Sequence, residues 1–244
     1  HPGIETTTGP LGQGLANAVG FALAERMLAA RFGKSLVDHR TWVIAGDGCL
    51  QEGISQEAIS LAGHLRLEKL CVLWDDNAIS IDGATSLSTS DDQLKRFAAS
   101  GWAVKRIDGH DHEQVAAALA WAQRNRKPTL LACRTIIGFA APSKAGTAGS
   151  HGAPLGAAEA AAAKAALGWT SPPFTVPDDL AGAWQQAGAR GATPRRGWLK
   201  RLARHNQRSE FERAIAGKLP ETFHEAMAGL RAGIAEARPK LATR

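Results

Sequence analysis

The chain has 244 residues, of which 44 % are hydrophobic and 21 % charged, and its net charge is +6. These values are typical of a folded globular protein and exclude a disordered chain, and no apolar run approaches the roughly 20 residues of a membrane helix. Cys49, Cys71 and Cys133 form no CxxC pair, so we expect buried thiols in a cytoplasmic protein rather than a zinc site or disulfides. Because the chain begins with His1 rather than Met, we expect a fragment or a processed product.

Short apolar runs alternate with helical stretches over the first 170 residues. The runs predict strands, and apolar residues at three- and four-residue steps between them predict helices. This alternation indicates an α/β fold, in which a parallel sheet carries helices on both faces. Unbroken apolar strands agree with it, because both faces of such a sheet are buried. The predicted strands are 42–45, 70–74, 102–107 and 129–133, and helices are predicted around 15–27, 54–61, 115–122 and 157–167.

The composition changes after residue 169, where prolines become frequent. We therefore predict a binding domain over 1–170, incomplete at its N-terminus, followed by a helical extension and the start of an interdomain linker over 171–244. Within the extension, 171–196 is predicted to meander with one helix, and 197–217 and 220–238 are each predicted to form a single helix. Segment 136–156 is rich in Gly, Ala, Ser and Pro without a period, which predicts a long functional loop.

Polar residues follow two of the predicted strands. Gly46-Asp47-Gly48 comes directly after strand 42–45, and Asn77 lies just beyond strand 70–74. The carboxyl ends of parallel strands share the edge at which open α/β sheets bind ligands, so we expect both segments at that edge. A carboxylate and an amide oxygen suit Mg²⁺ or Ca²⁺ held together with a diphosphate. The alternative is an ordinary strand-to-helix turn, with Asn77 in an unrelated loop.

Two further segments could line a ligand. The segment GPLGQG at 9–14 lacks the G-x-G-x-x-G spacing of a dinucleotide site. It predicts instead a tight turn that brings the backbone near a ligand. His151 lies in the long loop, where it is either a solvated side chain or a hydrogen-bond donor to a phosphate site.

Together these segments resemble the cofactor-binding domain of transketolases, over residues 4 to about 169. The resemblance implies thiamine diphosphate and a divalent cation, Mg²⁺ or else Ca²⁺ or Mn²⁺, as cofactors. It implies that the intact enzyme transfers a two-carbon ketol unit from a ketose phosphate to an aldose phosphate, in the pentose phosphate pathway or the Calvin cycle. The segments that carry it are ETTTGPLGQG at 5–14, GDGCLQEGIS at 46–55, DDNAISIDG at 75–83, KAGT at 144–147 and HGAPL at 151–155.

The resemblance also implies roles for individual residues. The metal ion would be bound by Asp47, Asn77 and the backbone carbonyl of Ile79. The diphosphate would be contacted by Gly48, Asn77 and His151. His151 would also lie near the substrate as a catalytic residue. The rest of the cofactor would be lined by Ile79, Ile81 and the backbone of Gly9, Pro10 and Leu11.

The family's catalytic glutamate lies in a pyrimidine-binding domain of the partner subunit, and this chain ends before that domain. We therefore expect a homodimer for the intact protein and no activity for this chain alone. Another thiamine diphosphate enzyme, such as a dihydroxyacetone synthase or a split-chain subunit, remains an alternative. A nucleic-acid-binding module is a second alternative, because 190–208 holds seven Arg or Lys and no acidic residue. Its apolar Trp198, Leu199 and Leu202 favour an amphipathic helix instead, so we expect no nucleic-acid partner.

Overall fold

The computed structural model describes residues 3–240, and the chain divides into two compact units between Gly188 and Ala189. His1 and residues 241–244 of the predicted extension lie outside the described residues. The division falls later in the chain than residue 170. The predicted boundary at residue 170 separates residues expected to bind the cofactor from the extension, and it stays a prediction.

The first unit is built on a parallel sheet. Its strands are β1 (Thr41–Gly46), β2 (Leu70–Asp76), β5 (Ala103–Asp108) and β6 (Thr129–Arg134). Between β2 and β5 lies a short antiparallel hairpin of β3 (Ile79–Ser80) and β4 (Gly83–Ala84). All four strands of the sheet run parallel in the order β1-β2-β6-β5, which confirms the predicted sheet. The register pairs Gly46 with Asp75, and pairs Arg134 with both Asp76 and Asp108, so all four strands end at one edge.

Helices surround this sheet and form most of the extension. The first unit contains α1 (Gln13–Phe32), α2 (Gly53–His64), α3 (Gln93–Ala99), α4 (His112–Arg124), α5 (Ala157–Ala166) and α6 (Asp178–Ala189), whose last residue begins the second unit. The second unit contains α7 (Ala192–Ala203), α8 (Arg208–Ile215) and α9 (Phe223–Ala237). The prediction of one helix over 197–217 is wrong, because α7 and α8 are separate helices. The prediction of one helix within 171–196 is incomplete, because α7 also begins there.

Apolar residues cover both faces of the sheet through the alternation along its strands. On β2, Val72 packs in a core with α1 and α2, whereas Cys71 packs in a second core with α4. The predicted helices on both faces are therefore confirmed. The expectation that every strand is buried on both faces is wrong for β1, where Trp42 and Ile44 are 40 % and 83 % exposed. β1 is an edge strand, and the core that includes α4 is built around β2, β5 and β6.

Candidate functional site

A carboxylate at the end of β1 meets the backbone that follows β2. Asp47 Oδ2 accepts hydrogen bonds from the backbone N–H groups of Asn77, at 3.3 Å, and Ala78, at 3.2 Å. Its Oδ1 accepts from the indole N–H of the buried Trp74 at 3.3 Å. The parallel pairing of β1 with β2 thus brings Asp47 and Asn77 together across thirty positions of sequence.

The turn after β2 fixes the orientation of the Asn77 side chain. Asn77 Oδ1 accepts from the backbone N–H of Ile79 at 2.9 Å, and Asn77 Nδ2 donates to Asp75 Oδ2 at 3.1 Å. A side-chain oxygen that accepts from the backbone two residues on is the Asx-turn that asparagine favours. Ala78, at the centre of this turn, has a φ of +62°, a left-handed conformation that costs a non-glycine residue about 1 kcal/mol. The bonds to Asp47 and Asn77 hold the backbone in this conformation.

Negative charge at this edge of the sheet is incompletely compensated. Burial and the neighbouring carboxylate of Asp76 raise the pKa of Asp47 above its ordinary value. Asp76 is itself buried, and it is paired with Arg134 at 3.2 Å and with Arg106 at 3.6 Å. A cation bound at Asp47 would offset both causes of the shift. The carboxylate of Asp47 and the amide oxygen of Asn77 are hard oxygen donors from two adjacent segments that are hydrogen-bonded to each other, so the residues present fit a Mg²⁺-type ion.

The glycine-rich segment 9–14 packs beside Asp47. Gly12 has a φ of +80°, and a Cβ on it would lie 2.8 Å from Glu52 Cβ and from Ser55 Oγ at the start of α2. A Cβ on Gly48 would lie 3.0 Å from Leu11 Cδ1. These close approaches seat the segment on the start of α2. Gly9 differs, since a Cβ there would meet nothing within 4 Å.

A cleft of about 640 Å³ opens next to this turn. Asp47, Trp74 and Asp76 form its wall at the sheet edge. The segment between β4 and α3 also lines the cleft and contributes residues with hydroxyl groups. These residues are Thr85, Ser86, Thr89 and Ser90. The volume of the cleft lies in the range of small-molecule sites.

The other predicted cofactor residues differ in exposure. Leu11 is 51 % exposed and Ile81, in the β3–β4 turn, is 70 % exposed, whereas Ile79 on β3 is half-buried. His151 is exposed, and its backbone N–H donates to the carbonyl of Ala148 at 2.9 Å. The described contacts of His151 do not reach Asp47 or Asn77, so its role at the site stays a prediction.

Residues that the sequence did not single out complete the network. Thr135, directly after β6, donates its hydroxyl hydrogen to Asp75 Oδ1, and its backbone N–H donates to the carbonyl of Asp76 at 3.3 Å. The signal that could have found Thr135 is its position at the end of a strand adjacent to β2.

The long loop is held against the turn between β5 and α4. The backbone N–H of Ile136 donates to His110 Nε2 at 3.0 Å, and the His110 ring stacks on Phe139 with centroids 4.1 Å apart. This histidine also went unrecognised in the sequence.

Metal-binding clusters, membrane-spanning helices and the cysteines were also considered among the described residues. Over residues 3–240, no group of three or more His, Cys, Asp or Glu side chains is arranged to hold a metal ion. The predicted ligand set contains one carboxylate, so this finding does not test it. In the same range, no helix is long and apolar enough to cross a membrane. Cys71 and Cys133 are buried, free thiols, and burial raises the pKa of Cys71 to about 12.

The basic segment 190–208 lies mostly on α7. Trp198 packs edge-on against the buried ring of Phe211 on α8, with centroids 6.2 Å apart. This contact agrees with an apolar inner face for the helix. Leu199, predicted to share that face, is 40 % exposed. At the end of the segment, Arg208 forms an ion pair with Glu212 at 2.8 Å.

Comparisons with known proteins agree with one another. The profile of the family described as transketolase, thiamine diphosphate binding domain, matches residues 1–220. The transketolase of Cereibacter sphaeroides is 56 % identical over 242 residues, which are 99 % of this chain and 37 % of that protein. The transketolase structure from Leishmania mexicana is 43 % identical with a TM-score of 0.86, covering 90 % of this chain and 34 % of that one.

A second solved structure carries a ligand. It is the transketolase from Pichia stipitis in complex with sedoheptulose 7-phosphate, 40 % identical with a TM-score of 0.86. The match covers 92 % of this chain and 35 % of that one. The chain therefore spans little more than a third of the length of the curated relative and the solved structures that it matches.

Proposed function

Because the chain belongs to the transketolase family, and matches its thiamine diphosphate binding domain, we propose that it holds the diphosphate and metal half of a ketol-transferring active site. The intact enzyme would move a two-carbon ketol unit from a ketose phosphate to an aldose phosphate. The complex of the Pichia stipitis relative with a sugar phosphate supports this substrate class.

One observation carries the proposal. The carboxylate of Asp47, at the end of β1, accepts hydrogen bonds of 3.3 and 3.2 Å from the backbone N–H groups of Asn77 and Ala78, in the turn after the parallel strand β2. Burial and the neighbouring Asp76 raise the pKa of this carboxylate, so its negative charge lacks a full partner within the chain. A divalent cation bound with a diphosphate gives that charge a partner.

Each chain residue then has a definite task. Asp47 would give the metal ion an anionic oxygen, and Asn77 would give it a neutral oxygen and also contact the diphosphate. The backbone carbonyl of Ile79 is the third proposed ligand. Bound thiamine diphosphate supplies the electron sink for breaking and forming the carbon–carbon bond of the ketol unit. The protein's contribution is to anchor the diphosphate and to fix the position of the rings.

The remaining predicted residues line the cofactor in this proposal. The backbone of Gly48 would contact the diphosphate, and His151 would donate a hydrogen bond to it and act near the substrate. The apolar side chains of Ile79 and Ile81 cover the rings. The backbone of the glycine-rich segment lines the other side, through Gly9, Pro10 and Leu11.

Calorimetric titration of the chain with thiamine diphosphate in the presence of Mg²⁺ tests the proposal. We expect saturable binding at one site per chain, and no such binding when EDTA replaces Mg²⁺. Asp47→Asn should weaken binding by more than about tenfold, because it removes the one anionic ligand. Asp82→Asn is the matched control, since Asp82 is an exposed carboxylate in the β3–β4 turn. Equal losses in the two variants, or no binding by the wild-type chain, would overturn the proposal.

In this proposal, ketol transfer requires a catalytic group that this chain does not supply. The proton-relaying glutamate near the aminopyrimidine is expected from the pyrimidine-binding domain of a partner subunit, and the intact protein is proposed to be a homodimer. The purified chain should therefore give no ketol transfer above background with a ketose phosphate and an aldose phosphate. Turnover by the chain itself would refute this part. The cytoplasmic location expected from the cysteines stays a prediction.

A further inference from the structure

Asp75 connects two structural elements at the end of the sheet. Its Oδ2 accepts from Asn77 Nδ2 at 3.1 Å, and its Oδ1 accepts from the hydroxyl of Thr135. Asn77 belongs to the turn after β2, and Thr135 comes directly after the neighbouring strand β6. Both oxygens of this half-buried carboxylate are therefore committed to neutral donors within the protein.

These contacts determine which way the Asn77 amide faces. A backbone N–H can only donate and a carboxylate can only accept. The N–H of Ile79, 2.9 Å from Asn77 Oδ1, and the carboxylate of Asp75 therefore both require the same orientation of the amide. The amide oxygen accepts one hydrogen bond in this orientation and keeps a second lone pair for another partner. The opposite orientation would turn an NH₂ group toward the Ile79 N–H and toward any cation at the site.

We propose that Asp75 is a positioning residue that fixes the amide of Asn77 with its oxygen toward the metal ion, and that Thr135 holds Asp75 in place from β6. The inference rests on the proposed function for the identity of the ion. The orientation of the Asn77 amide by Asp75 is a property of the chain without any ligand and does not depend on the proposed function. Residues that orient a metal ligand in this way typically contribute 10- to 100-fold to metal affinity.

An electrostatic role is the competing explanation, because a carboxylate near a cation attracts it without orienting anything. Two substitutions separate the explanations. Asp75→Asn removes the charge but keeps a carbonyl oxygen for Asn77 Nδ2, while its NH₂ group can donate to the hydroxyl oxygen of Thr135. Asp75→Leu has a similar shape and offers no acceptor. A positioning role predicts that only the leucine variant fails, whereas an electrostatic role predicts that both fail equally.

The first measurement is hydrogen exchange at the Ile79 amide of the chain without cofactor. In Asp75→Leu the Asn77 amide is free to turn, so exchange at Ile79 should rise by about tenfold or more, and in Asp75→Asn it should stay near the wild-type rate. Thr135→Val should give an intermediate increase in exchange at Ile79, because Asp75 keeps its hydrogen bond to Asn77 but loses the one from residue 135. Unchanged exchange in the leucine variant would overturn the proposal.

The second measurement is the affinity for Mn²⁺ in the presence of thiamine diphosphate, followed by electron paramagnetic resonance. We expect a loss of 10- to 100-fold in Asp75→Leu and less than about threefold in Asp75→Asn. Equal losses in both variants would refute positioning in favour of charge. If the wild-type chain binds no Mn²⁺ with the cofactor, the proposed function fails, and with it the assignment of the ion. The exchange data at Ile79 then still decide whether Asp75 orients Asn77.

Discussion

Gly12 joins the glycine-rich segment to the start of α2, and replacing it with alanine tests whether that contact seats the segment. An added Cβ would lie 2.8 Å from Glu52 Cβ and Ser55 Oγ and 2.9 Å from Ile54 Cγ2. All three atoms belong to the start of α2 or the residue that precedes it, so relief requires the whole segment to move. We expect Gly12→Ala to lower the stability of the chain and to displace the backbone proposed to line the cofactor.

The expected magnitude has two parts. An alanine at a φ of +80° costs about 1 kcal/mol, because its Cβ crowds the neighbouring backbone in the left-handed region. Overpacking against atoms that cannot retreat costs a further 1–3 kcal/mol or so. The free energy of unfolding should therefore fall by about 2–4 kcal/mol, a large part of the total for a domain of this kind.

Urea unfolding followed by far-ultraviolet circular dichroism measures this difference, provided that the slope with urea is unchanged. Gly20→Ala is the matched control, because Gly20 is an exposed position within α1 where a Cβ would meet nothing within 4 Å. That variant should be stabilised by up to about 1 kcal/mol. If Gly12→Ala unfolds within about 0.5 kcal/mol of the wild-type chain, the segment is not seated as described, and the argument fails.

Three further outcomes follow from contacts elsewhere in the chain. Gly63→Ala should prevent normal folding, because its Cβ would lie 1.7 Å from a backbone carbonyl oxygen in the α3–β5 turn; a native-like melting temperature would contradict this. His110→Ala removes the acceptor of the Ile136 N–H, so hydrogen exchange at that amide should accelerate, and an unchanged rate would show that the histidine does not hold the loop. The ammonium group of Lys69 lowers the pKa of Asp38. A carboxyl group whose pKa is lower in the folded chain than in the unfolded chain stabilises the fold at pH values above the unfolded pKa of 3.8. This stabilisation is lost as the pH falls through the folded-state pKa. The stability difference between wild type and Asp38→Asn, below about 1 kcal/mol because the Asp38 carboxylate is exposed, should therefore shrink as the pH falls below 3.8, and a difference that grows on acidification would refute the assignment.

Periodicity in the sequence was sufficient for the sheet and for the long helices. Runs such as 70–74 and 129–133 are apolar because both faces of an interior strand are buried, and that cause acts at every position of the run. Once the strands are parallel, their carboxyl ends meet at one edge. The proximity of Asp47 and Asn77 follows from that geometry, so it too was predictable.

Short or irregular elements escaped prediction because the contacts that form them, whether distant or local, leave no periodic pattern of apolar residues in the sequence. Helix α3 has only seven residues, too few to be stable by itself, and is held by the burial of Phe97. The break between α7 and α8 contains neither Gly nor Pro. There, His205 Nδ1 accepts from the backbone N–H of Gln207 at 3.2 Å, a bond that ends the helical pattern without any local signal of the usual kind.

The sequence by itself determined the fold class, the meeting of Asp47 and Asn77 at one edge of the sheet, and the family. These depend on residue type and spacing, which are properties of the chain. Only the tertiary structure decided that Asp75 is hydrogen-bonded to both Asn77 and Thr135, that Gly12 lies against the start of α2, and that Ile44 is exposed on an edge strand. These features depend on which strands are neighbours and on distances of a few ångströms between segments far apart in the chain, and neither quantity has a counterpart in local sequence pattern.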